Sequence, residues 1–232
     1  MNEDPMWLRW QAEAPRIYEE VYYSTNLVVT HINEIGHTIA EKPFGADTYF
    51  PQVLEVGAGT GKHLEAVRHR FDAYYVTDIS KGHLEKAKTR WASKPGLVFQ
   101  EEDATKLSFK DGTFDRLISI YNLEHLPRPD LVVQEWRRVV KPGGTLTIGI
   151  PAEGGVAWRL GRFLTTRPAF AKHGLDLDYI IAREHVNTCV SLACFLRHYL
   201  RVEKETWYPL RIPLVDVNLL YICQATNPGG AA

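Results

Sequence analysis

The chain has 232 residues, 45% hydrophobic and 24% charged, enough for one domain that buries its own core without staples. Its 27 basic and 28 acidic side chains leave a net charge of −1, with no sign of the basic excess that a polyanionic partner selects. Cys189, Cys194 and Cys223 are too few and too unevenly spaced for a disulfide framework or a zinc site, so buried thiols and no metal are expected. The start, "MNEDPMWLRW", is acidic where a signal peptide is basic. No run approaches the ~20 apolar residues of a membrane span, and a cytoplasmic setting is expected.

Along the chain, Ile17, Val21, Val28, Ile32, Ile35 and Ile39 recur near helical spacing, which predicts one or two helices before residue 40. A loop over 42–51 follows, then a short apolar strand, "VLEV" (53–56), and a glycine turn. Leu64, Val67 and Phe71 predict a helix after that turn. "AYYVTD" (73–78) reads as a second strand. Ser80 is placed to cap a helix that carries Leu84, Ala87 and Trp91 on one face. "LVFQEED" (97–103) and "FDRLISI" (114–120) read as strands three and four. A helix capped by Asp130 leads to "TLTIGIP" (145–151), strand five. This alternation predicts an α/β, Rossmann-like, mostly parallel sheet with helices on both faces. The pattern lapses over 152–187, then resumes with a helix near 191–200. Two closing strands near 201–207 and 216–225 are joined by a link too short for a parallel crossover, so the last is expected to be antiparallel. The division expected is an N-terminal helical cap (1–50), a core (51–151), an insertion shaping a pocket (152–187), completing strands (188–227) and a flexible tail (228–232).

The glycine turn "LEVGAGTGKH" (54–63) lies where a doubly wound sheet binds ligands, at the carboxyl end of its first strand. A phosphate loop is rejected, because Gly61-Lys62 is followed by His63 and Val56 stands where the motif begins with glycine. The dinucleotide fingerprint fails at its third glycine, where Lys62 stands. What remains is acidic-x-Gly-x-Gly-x-Gly over Glu55, Gly57, Gly59 and Gly61. With Asp78 ending strand two, "EDA" (102–104) after strand three, and "FDRLISIYNLEHLPRPD" and "RRVVKPGGTLTIGIP" in order, residues 50–151 resemble the class I S-adenosylmethionine (SAM)-dependent methyltransferases, small-molecule branch.

The resemblance implies a seven-stranded sheet of order 3-2-1-4-5-7-6. It implies SAM as cofactor, S-adenosylhomocysteine (SAH) as product, and a site built from Glu55, Gly57, Ala58, Gly59, Gly61, Asp78, Ile79, Asp103, Ala104 and Tyr121. In that reading Asp78 accepts from the ribose hydroxyls, and Asp103 accepts from the adenine amine with the Ala104 backbone nearby. Asp115 is expected to be structural. His125 in "NLEHLP" and His185 in "AREHVNT" are the candidate general bases, each with capping or packing as the bland alternative. Tyr18, Tyr22, Arg159 and Arg162 are candidates for acceptor contact, against plain packing or solvated faces. The expected reaction is methyl transfer to a small-molecule hydroxyl, of a sugar, a glycan or a natural product. A quinone-like or aromatic acceptor is the alternative, and a catalytically silent SAM-fold partner subunit is the alternative of another class. The expected protein is a monomer or homodimer with no nucleic-acid partner and no membrane span. An NAD-dependent oxidoreductase and an RNA methylase are the weaker rivals.

Overall fold

A computed structural model describes residues 4–18, 20–21 and 27–230. Seven strands form one sheet: β1 (Gln52–Val56), β2 (Ala73–Asp78), β3 (Leu97–Glu101), β4 (Phe114–Ile120), β5 (Val140–Pro151), β6 (Arg201–Tyr208) and β7 (Leu220–Thr226). Their order is β3-β2-β1-β4-β5-β7-β6. The first five run parallel, and β7 is antiparallel to both its neighbours, as the short β6–β7 link requires. Buried parallel strands need apolar side chains on both faces. β4 meets that need with Phe114, Leu117, Ile118 and Ile120, and β1 with Val53, Leu54 and Val56, all buried.

The helices are α1 (Pro5–Tyr18), α2 (Leu27–Glu41), α3 (Lys81–Arg90), α4 (Pro129–Val139), α5 (Val156–Leu164), α6 (Thr166–Lys172), α7 (Leu177–Glu184) and α8 (Cys189–Tyr199). Ser80 caps α3 as expected, its hydroxyl accepting from the His83 N–H. Asp130 does not cap α4. That cap position falls to Arg128 in a left-handed conformation, and Asp130 sits in the first turn, where a carboxylate favours the helix dipole. One sheet face packs on α4 and α8 around Trp136, Val133, Leu192 and Leu196; the other packs Leu84, Ala87 and Leu64 over Tyr74 and Val76.

Two further expectations are corrected. The helix after β1 shrinks to one 3-10 turn, Lys62–Glu65. The reason is tertiary: Arg70 pairs its backbone with Thr48 and Phe50, and His63 and His69 are buried against Glu41, so the segment extends beside residues 48–50 instead of coiling. The cysteines also divide, with Cys189 and Cys223 buried and Cys194 exposed. Residues 152–187 are helical throughout most of their length, and α6 and α7 pack on α1 through Trp10, Ile17, Phe170 and Ile180. Burying an aromatic of Trp10's size, about 200 Å², stabilises that junction by at most roughly 5 kcal/mol. Asp115 is structural, as expected: it accepts from the Gln52 N–H at 2.9 Å and from Lys141 Nζ at 2.6 Å.

Candidate active site

A cavity of about 1650 Å³ opens at the carboxyl ends of β1, β2, β4 and β5. Its floor is the glycine turn. Gly57, Gly59 and Gly61 all have positive φ (71°, 54° and 74°), which an L side chain adopts only under strain. Gly57 also makes room for Asn122: a Cβ there would lie 2.3 Å from Asn122 Cγ. At Gly59 a Cβ would meet nothing within 4 Å, so this stretch of main chain is bare toward the cavity.

Asp78 stands at the end of β2 beside it. One carboxylate oxygen accepts from the Gly59 N–H and the other from the Ser80 N–H, both at 2.8 Å. Burial alone would raise its pKa, but hydrogen bonds from His83, Ser80 and Gly59 outweigh that and hold it below the usual range. A charged acceptor therefore persists at the cavity wall. Ile79 follows it as an apolar shelf, 69% exposed. Glu55 is buried behind the turn, where Tyr74 donates to it at 2.7 Å. Burial raises its pKa. Tyr121 closes the side next to α2, with φ 58° and its ring edge on His37.

Among the expected cofactor residues, Glu55, Gly57, Ala58, Gly59, Asp78, Ile79 and Tyr121 line this cavity. Asp103 and Ala104 do not. The Asp103 carboxylate folds back onto the Thr105 N–H and hydroxyl, and the Ala104 carbonyl accepts from the Trp136 indole at 3.0 Å. Gly61 lies behind the floor, its carbonyl accepting from Trp91. For SAM, the residues present fit: a bare backbone cradle at Gly59, a charged acceptor at Asp78 and an apolar shelf at Ile79.

Beneath the turn lies a charged network that no sequence motif announces. Arg116, fully buried, donates to both oxygens of Glu41. Glu41 also accepts from His63 at 2.9 Å, and His63 bonds His37 at 3.0 Å, which in turn reaches the cavity. Burial opposes ionisation of Glu41, but His63 and Arg116 overcome it and bring its pKa down to about 2.

The far wall holds the two histidines. His125 and His185 pack edge to face, with ring centroids 4.4 Å apart. His185 Nδ1 bonds the Glu153 carboxylate, whose other oxygen accepts from Arg162 at 3.0 Å. Glu124 is buried beside them with one oxygen unpartnered, and burial pushes its pKa up to about 7. Glu184 accepts from the Trp10 indole at 2.6 Å. Of the residues expected to meet an acceptor, Arg162 reaches the cavity but is held by Glu153; Arg159 is exposed and outside the lining, because its face of α5 points to solvent. The Tyr18 side chain and all of Tyr22 lie outside the described residues. Glu124, Glu153 and Glu184 were not singled out from sequence. Glu153, two residues past β5, stands where carboxyl-end residues meet ligands, and that position was the available signal.

A methyltransferase-domain family model matches residues 54–148. A hybrid PKS-NRPS synthetase of Thermothelomyces thermophilus is 27% identical over 182 residues, 70% of this chain but 4% of that very long protein. The demethylmenaquinone methyltransferase of Clavibacter sepedonicus is 30% identical over 135 residues, 57% of this chain and 55% of the relative. The chain thus spans about half of that relative and a small fraction of the synthetase. The SAH complex of the N-methyltransferase NodS from Bradyrhizobium japonicum superposes with a TM-score of 0.65 at 14% identity, over 97% of this chain and 100% of that one, a likeness of fold. With the seven-strand order, the glycine floor and Asp78 in one cavity and the match over residues 54–148, the chain carries a methyltransferase domain with the class I SAM-dependent fold.

Proposed function

We propose that this protein transfers the methyl group of SAM to a hydroxyl of a small-molecule acceptor, a sugar, glycan or natural-product alcohol. The observation that carries the reading is the continuity of one cavity. It runs from the Gly59–Asp78 cradle to a wall of imidazoles and carboxylates at His125, His185, Glu124 and Glu184. Bound SAM supplies an electrophilic methyl on a sulfonium. The rest is positioning, which is worth roughly 7–11 kcal/mol of barrier in favourable cases. Gly59 and Asp78 hold the nucleoside end, and Tyr121 and His37 narrow the passage above the sheet. The histidine wall then meets the acceptor hydroxyl in a corner where burial strengthens every polar contact. SAM held at that cradle would supply its methyl carbon to the acceptor oxygen and leave as SAH, and the hydroxyl proton would pass to water in the cavity.

A quinone-like acceptor is the second reading. It is favoured by the activity for which the Clavibacter relative is named and by Leu160 and Leu164 of α5, exposed apolar side chains at the cavity mouth. Incubation with methyl-labelled SAM and two panels, glycoside alcohols and hydroquinones, separates them. Label in the glycosides supports the first reading; label only in hydroquinones replaces it. Absence of SAH binding by calorimetry, with the chain folded, would remove both and leave the silent-subunit reading.

A further inference from the structure

We infer that His125, His185 and Glu184 form a binding site for one divalent transition-metal ion, on the acceptor side of the cavity. One ligand atom from each of the three lies within 4.8 Å of the others, near the span of ligands around a shared ion. The three come from two segments. His125 closes the 3-10 turn after β4 (Leu123–His125), and Glu184 and His185 end α7, so the fold and not sequence spacing brings them together.

The surroundings are built as a metal site's outer layer is built. A metal-binding imidazole usually gives its second nitrogen to a carboxylate, which sets the tautomer and raises its basicity. His185 does this with Glu153 through Nδ1, so in the neutral ring the free lone pair sits on Nε2. Glu153 is in turn steadied by Arg162. The Glu184 carboxylate is oriented from behind by the buried indole of Trp10. A second, independent sign is Glu124. It is 2% exposed, lines the same cavity, and has an oxygen with no hydrogen-bond partner, although buried carboxylates are normally satisfied.

The donor set selects the kind of ion. Two imidazoles and a carboxylate suit Zn²⁺, Mn²⁺, Fe²⁺ or Co²⁺, whereas Ca²⁺ and Mg²⁺ prefer oxygen alone. Three protein ligands leave coordination positions open toward the cavity. The inferred role rests on the function proposed above: an acceptor oxygen bound there loses its proton more readily to solvent, then attacks the methyl carbon. In this arrangement the two histidines are ligands, not proton acceptors.

The test uses the untagged 232-residue chain, stripped with EDTA and titrated with Co²⁺, followed by its visible absorption and by metal content after gel filtration. The expected result is one saturable equivalent per chain, with His125→Ala and His185→Ala each weakening Co²⁺ binding at least a hundredfold. Glu153→Gln should weaken it roughly 10- to 100-fold through His185. SAH affinity, measured on each variant, reports that the fold and the cofactor cradle are intact. Wild-type protein that binds SAH yet takes up no Co²⁺, or takes it up equally in both histidine variants, overturns the site. Co²⁺ uptake that depends on the histidines, in a chain that does not bind SAH, would keep the site and discard the proposed reaction.

Discussion

Gly57→Ala and Gly59→Ala, two positions apart, should fail in different ways. Each places an alanine in the left-handed region, at a cost of about 1–2 kcal/mol. That term is common to both and cancels in the comparison. At Gly57 the new Cβ would also lie 2.3 Å from Asn122 Cγ and 2.6 Å from its oxygen, so Asn122 must move. Moving it forfeits its 3.3 Å bond to Ser119, about 1 kcal/mol more. Gly57→Ala therefore costs about 2–3 kcal/mol in the ligand-free protein, a fall of about 4–12 °C in Tm at this chain length. Gly59→Ala meets open space and should lose only about 2–8 °C. Its penalty appears with ligand. SAH at a hundredfold excess over Kd stabilises the wild type by about 2.7 kcal/mol. A tenfold loss of affinity, caused by a methyl group standing in the cradle, leaves about 1.4 kcal/mol. Thermal melts with and without SAH read both quantities. A Gly59→Ala protein that keeps the full SAH shift would show that the ligand does not lie against that backbone, and the cradle assignment would be wrong.

Three further outcomes follow from the same geometry. Asp78→Asn keeps the shape but removes the charge that accepts from Gly59 and Ser80; SAH affinity by calorimetry should fall about 10- to 100-fold, and an unchanged Kd would separate Asp78 from the cofactor. Arg116→Met strands the Glu41 carboxylate in the core and should cost about 3–5 kcal/mol in urea unfolding, while the Glu41→Leu/Arg116→Met pair should cost clearly less; equal losses would mean the ion pair is not the reason. Burial, and then the neighbouring Arg116, lower the His69 pKa to about 4, so its neutral form is the one the fold accepts. Its share of stability is therefore complete above pH 6.5 and is lost as pH falls toward 4, a span worth about 3 kcal/mol. His69→Gln should flatten that part of the pH–stability curve.

What could be read in advance was what local chemistry writes locally. β1, β2, β4 and β5 are apolar runs because a parallel sheet buries both faces, and the glycines at 57, 59 and 61 are required by backbone angles within a single turn. The helix expected after that turn shows the converse. Leu64, Val67 and Phe71 keep helical spacing, yet Arg70 gives its backbone to a neighbouring segment and His63 gives its ring to Glu41, 22 positions upstream. Periodicity reports which side chains face inward; it does not report that a backbone has found a better partner elsewhere. The histidine wall is the same lesson at a site. His185 looked like a helix cap, and it does occupy that position on α7, but its Nδ1 belongs to Glu153, 32 residues earlier, and its neighbour Glu184 belongs to Trp10, 174 residues away. None of those spacings carries a period, so no pattern in the chain could join them. The Gly59–Asp78 side of the cavity, where the proposed reaction puts the cofactor, is thus built from one continuous β–turn–β unit, and the histidine side, where it puts the acceptor, is assembled from β4, β5, α7 and α1. A reader of sequence sees the first and misses the second, and it is the second that must distinguish one acceptor from another.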